Sequence, residues 1–152
     1  MINATAPSNS NKRKRHVVIL SSSLLCLTLL VGCLSPPQAE VFDAMNRDRN
    51  AHGLKSLPTQ KDVQAKAQAW AERLARENRL YHSTLSDGVN TRWCSLGENV
   101  GYGPSAQSVQ KAYMNSPGHK ANIVSNVWNG VGVGHAKRGN TVFTVQVFIK
   151  TC

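Results

Sequence analysis

The chain has 152 residues, a formal net charge of +10 and 41% hydrophobic residues, which suits one domain with a core plus an extra segment. Its positive balance comes without interleaved aromatic-basic motifs, zinc-finger ligand spacing or a recognisable reading helix, so nucleic acid is not the expected partner. It contains no Gly-x-Ser-x-Gly elbow, which sets aside serine hydrolases built on that turn.

After its first eleven residues the chain carries the basic run Lys12-Arg13-Lys14-Arg15-His16 and the apolar run Val17 to Gly32, interrupted by Ser21 to Ser23. This reads as an export signal over residues 1–32. The apolar run spans 16 residues, short of the ~20 that a spanning helix requires. It closes on Leu30-Val31-Gly32-Cys33, which resembles the bacterial lipobox, where cleavage leaves an acylated cysteine at the new N-terminus. Cys33 is thus the expected lipidation site, and the product a membrane-anchored lipoprotein. The alternative is a secreted form cut later, for example after Ala39, but Pro37 then stands where a small residue is preferred. Losing Lys12 to Arg15 leaves 14 basic against 8 acidic residues. Outside the cell that balance points to anionic lipid headgroups and acidic wall polymers. Cys26 goes with the signal and Cys33 takes lipid, so Cys94 and Cys152 remain to pair in an oxidising compartment, or else stay as two free thiols. Closing that loop stabilises by about 4 kcal/mol on the chain-entropy model.

Residues 33–39, with Ser35-Pro36-Pro37-Gln38, are expected to form a linker. Val41, Phe42 and Met45 then make the apolar stripe of a helix ending at Gly53, where His52 suits the helix C-terminus. Thr59-Gln60-Lys61-Asp62 resembles a capping box ahead of a longer helix, in which Val63, Ala67, Trp70 and Leu74 recur at core spacing. Its face with Lys66, Glu72, Arg73, Arg76 and Glu77 reads as solvated. Residues 80–104 read mostly as loop with a short strand over 96–100. A helix follows over 106–115, then a short one with Ser116 as cap and Pro117 at the first position. Gly130-Val131-Gly132-Val133-Gly134 lacks a following Lys-Ser/Thr and reads as a strand needing close backbone approach. It pairs with residues 141–149 in a hairpin that sets Phe143, Val145, Val147 and Ile149 on one face. His135 on this hairpin is expected to face solvent. These elements give an α+β class, helices against a small antiparallel sheet.

Asn46-Arg47, Gly53-Leu54, Ala69-Trp70-Ala71, His82-Ser83, Gly97-Glu98-Asn99, Ser116-Pro117-Gly118-His119 and Gly130 to Gly134 occur in one order that resembles the CAP superfamily. This is the SCP domain of cysteine-rich secretory proteins, antigen 5 and pathogenesis-related proteins, here in its bacterial branch. The resemblance covers roughly residues 40–150, within an expected domain at 40–152, and implies an α/β/α sandwich with helices on both faces of the sheet. It also implies a cleft lined by His82, Glu98 and His119. The family's fourth position, a glutamate three residues after an aromatic aligned with Tyr113, is Ser116 here.

Two neutral imidazoles and one carboxylate are able to hold a divalent ion such as zinc, with His82 and His119 as ligands. They serve equally as a polar pocket, or Glu98 orients one histidine. Without the missing carboxylate, hydrolysis lacks an evident general base. The leading expectation is a binding protein for a small molecule, lipid or peptide, with no catalytic residue and no cofactor assigned. The alternatives are a metal-assisted hydrolase of peptides or wall polymers and a non-catalytic adhesion module.

Overall fold

The computed structural model describes residues 33–152; the expected signal segment and Cys26 lie outside the described residues. Helix α1 spans Pro36–Ala51 and starts inside the stretch expected to be linker. The two prolines occupy the first helical positions, where a missing N–H costs nothing. Gln38 reaches back to accept from the Ser35 backbone N–H at 2.8 Å. At the other end the His52 Nδ1–H donates to the Asp48 carbonyl at 2.8 Å, and Gly53 takes a positive φ of 74°.

Helix α2, Lys61–Glu77, is capped by Gln60 and not by Thr59. The Gln60 side-chain oxygen accepts from the Asp62 and Val63 N–H groups at 3.1 and 3.2 Å, while Thr59 bridges to Val131. Strand β1 runs Trp93–Gly103, about twice the length expected, followed by α3 (Ala106–Asn115) and α4 (Pro117–Ile123). Strands β2 (Gly130–Arg138) and β3 (Thr141–Thr151) form the expected hairpin, with Gly139 at φ 56° in its two-residue turn. The sheet is antiparallel in the order β1-β3-β2.

The central strand β3 is buried on both faces. Phe143, Val145, Val147 and Ile149 join Val63, Ala67, Ala71 and Leu74 of α2 in one core. Phe148, with Val131 and Val133 of β2, joins Val41 and Met45 of α1, Val109 and Tyr113 of α3 and Ile123 of α4 in the other. These two layers make the α/β/α sandwich. Two ties that periodicity does not announce hold the α1 layer. Asn46 pairs with both backbone groups of Leu57, and the buried Arg49 donates to the carbonyls of Lys55, Ile123 and Ser125. Burial lowers the pKa of Arg49, and its charge is met by carbonyl dipoles.

The bond between Cys94 and Cys152 is present, with Cα atoms 5.1 Å apart. The register of β1 on β3 slips between Trp93 and Ser95, so Cys94 stands out of the ladder as a bulge residue does. Trp70, expected in the core, is only part-buried, and its indole N–H donates to the Tyr81 carbonyl at 3.1 Å. His135 is part-buried, not solvent-facing, and burial lowers its pKa.

Candidate functional site

Glu98 lies on β1, and its side chain is 1% exposed. A buried carboxylate needs partners, and both oxygens have them. One accepts from His82 Nδ1 at 2.8 Å and from the Ser83 backbone N–H at 2.9 Å; the other accepts from the Ser83 hydroxyl at 2.6 Å. The loop between α2 and β1 thus supplies two consecutive residues that close over one strand residue. The His82 side chain remains 62% exposed, so its outer ring edge faces solvent while Glu98 fixes the inner nitrogen.

His119 arrives from the other side, in the first turn of α4. Its Nδ1 is 2.9 Å from the Ser116 Oγ, and its ring centroid is 5.1 Å from that of Tyr113. Ser116, the expected helix cap, makes no capping bond with its side chain; the hydroxyl is given over to His119. Burial, and secondarily the proximity of His82, lowers the His119 pKa, so the neutral ring is favoured near pH 7. Tyr113 is buried with its hydroxyl donating to the Thr144 carbonyl at 2.9 Å. Burial pushes its pKa upward, leaving it a phenol behind the His119 ring.

A chain of amides holds this arrangement from below. Asn99 donates to the His119 carbonyl and to Gln146 Oε1, both at 3.1 Å. Gln146 donates to Gln110 at 2.7 Å, and Gln110 to Asp48 at 2.6 Å. Asn122 donates to Asn99 Oδ1 at 3.0 Å, and Trp128 donates to the Asn122 carbonyl at 2.8 Å. Every buried side-chain nitrogen and oxygen among the described residues has a partner. Ser83, Asn99 and Gln146 carry no role in the sequence reading. The adjacency of Ser83 to His82 and of Asn99 to Glu98 is the available signal for the first two; nothing local marks Gln146.

Both imidazoles therefore have Nδ1 engaged and Nε2 left over, and Glu98 orients His82 in the manner of an outer-sphere carboxylate. Among the described residues no group of three or more His, Cys, Asp and Glu side chains is placed to hold a metal ion. With Glu98 committed to His82 and Ser83, these residues do not fit a three-ligand centre.

Helices on both faces of a three-stranded antiparallel sheet are the arrangement that the resemblance to the SCP domain implies. The model of the cysteine-rich secretory protein family matches residues 42–149, and the chain belongs to that CAP family. It is 27% identical over 122 residues to the uncharacterized protein YkwD of Bacillus subtilis, covering 74% of this chain and 47% of YkwD. It thus spans about half the length of that relative. Among solved structures, an extracellular SCP-domain protein from Bacillus anthracis superposes with a TM-score of 0.64 at 22% identity, over 80% of this chain and 45% of that one. An outer surface protein of Borrelia burgdorferi gives a TM-score of 0.66 at 18% identity, over 80% of this chain and 100% of that one. At these identities the likeness shows the fold.

Proposed function

We infer that this chain is an exported, lipid-anchored CAP-domain protein that binds a small molecule, lipid or peptide between His82 and His119 without turning it over. The observation that carries the reading is the saturation of Glu98. A carboxylate already accepting three hydrogen bonds from its own chain acts by orienting His82, and among the described residues no second carboxylate stands beside it to complete a hydrolytic set. What remains for a ligand is a pair of Nε2 edges, with Tyr113 buried behind the His119 ring, a surface suited to recognition. The extracellular and outer-surface descriptions of the structural neighbours support export. The exposed, unbridged Cys33, three residues ahead of α1, supports the anchor at the end of the 1–32 signal.

Native mass spectrometry of the full chain taken from the membrane of its own host tests this. The expected result is an acylated Cys33 at the mature N-terminus and a co-purifying ligand that is lost in His119→Ala. An unmodified start beyond Cys33 overturns the anchor. A ligand-free wild type, or metal-dependent peptide cleavage lost in the same variant, overturns the binding reading.

A further inference from the structure

Beside the His82–Glu98–His119 site, α2 carries two adjoining clefts that share Arg76. The first, about 590 Å³, lies between α2 and the 83–88 segment, with Lys66, Trp70, Arg73 and Arg76 on one wall and Ser83, Thr84 and Asp87 on the other. The second, about 540 Å³, lies between α2 and the end of the hairpin, where Lys137 and Arg138 join Arg76 opposite Glu72. Five cations thus face two carboxylates across a continuous surface, and Arg76 stands on the ridge between.

These cations divide by what already holds them. Lys66 donates to the Thr84 and Asp87 carbonyls at 2.8 and 2.9 Å, fixing the cleft's outer wall. Arg138 donates to the Arg76 carbonyl at 2.7 Å. Arg73 lies over Trp70, its Cζ 5.1 Å from the ring centroid, and its Nε donates to Glu77 at 2.9 Å. Contacts with the Trp70 and Tyr81 rings and an ion pair along one edge hold that guanidinium in place at the cleft wall. Among the described residues no hydrogen bond or ion pair engages the side chains of Arg76 and Lys137, both exposed.

We propose that this double cleft is a binding surface for a linear acidic polysaccharide, its carboxylates falling to Arg73 and Arg76 in one cleft and Lys137 in the next. A single small anion would leave one cleft unused; a chain crossing the Arg76 ridge uses both. The hydroxyl of Thr84 is matched to a sugar hydroxyl. A nucleic acid is disfavoured because the aromatic rings are taken, Trp70 by Arg73 and Tyr81 by Arg79 with its Cζ at 4.7 Å, and are not offered for base stacking. A lipid surface is the competing occupant, and the vesicle arm of the test distinguishes it. The surface does not depend on the ligand reading of the histidine site.

The test is fluorescence anisotropy of the full chain with labelled hexagalacturonate, with neutral chitohexaose and phosphatidylglycerol vesicles as comparison arms. Wild type is expected to bind the acidic glycan and not the neutral one, and to weaken severalfold as salt rises, since exposed charges are screened. The pair of substitutions Arg76→Ala and Lys137→Ala is expected to raise Kd about tenfold or more, while Lys111→Ala on α3, in the opposite helical layer, changes it less than about twofold. Both sets of side chains are exposed, so folding is not at stake. Equal loss in the two sets overturns the proposal, as does neutral-glycan binding of the same strength. Loss on vesicles alone assigns the surface to lipid instead and equally overturns it.

Discussion

His119 is the most informative single side chain, because two separate influences act on it and they are separable by substitution. Burial holds its pKa below the ordinary 6.5, and the charge of His82, when present, pushes the same way. The unfolded chain therefore binds more protons in the window between the folded value and 6.5. Stability is complete above that window and is lost as pH falls through it. In chelator-treated protein, NMR titration of the His119 ring is expected to give a pKa below 6.5. His82→Ala is expected to raise that value without bringing it to normal, since burial is the larger cause. A titration unmoved by His82→Ala would mean that the two rings do not sense one another and that no common site exists. Helix-start chemistry around Pro117 places His119 in a first turn where a neutral ring is favoured, and there sequence and structure agree. The same chemistry assigns the Ser116 hydroxyl to the backbone, but that cap loses to a nearer imidazole. The competition turns on a side-chain rotamer, which no spacing of residues encodes.

Helix α2 and strand β2 form the tightest junction in the fold, and glycine is the reason. A Cβ at Gly132 would collide with the Val63 carbonyl, and one at Gly134 with the Ala67 carbonyl, so the strand lies directly against the helix backbone. The free edge of β2 is then met by side chains in place of a fourth strand. Gln64 accepts from the Val133 N–H and donates to the Val133 carbonyl at 2.8 and 2.7 Å. Gln68 repeats the pattern with His135, both bonds at 3.0 Å. Helical spacing of four and strand spacing of two advance by similar lengths, about 6 and 6.8 Å, so successive amides stay in step. This covers an edge that would otherwise invite pairing with another chain. Gln64→Leu leaves two buried backbone groups unmet and is expected to cost about 2 kcal/mol, read as a lowered urea midpoint at unchanged slope. A midpoint equal to wild type would show that water replaces the amide without loss. The Gly-x-Gly-x-Gly run announces the close approach in the sequence, and the alternation in β3 announces the hairpin. The glutamines look like ordinary helix-surface residues, because their partners are 67 and 69 positions away. Strand β1 reads too short in the sequence for a related reason: its Gly101 and Gly103 resemble loop punctuation, and only pairing with the buried β3 turns them into strand.

The candidate site draws on three elements, with Glu98 on the edge strand β1 of the sheet. His82 follows α2 on one side, His119 opens α4 on the other, and Glu98 sits on β1 between them. Such a site depends on β1 staying paired to β3, and that pairing has its own clasp. The Cys94–Cys152 bond joins the start of β1 to the end of β3 across a sequence separation of 58, beside the Trp93–Thr151 pair. Chain entropy alone assigns such a loop about 4 kcal/mol. Replacing both cysteines by serine is expected to lower unfolding free energy by about 2 to 5 kcal/mol in urea. The His82–Glu98 contact should survive in the variant below its unfolding midpoint, since Ser83 and the β1 ladder from Ser95 to Gly103 do not involve the sulfurs. The two readouts separate two roles of the bond. Lost stability with an intact His119 titration makes it a clasp on the unfolded chain, whereas a His119 pKa that returns to the ordinary value makes it part of the site's own framework.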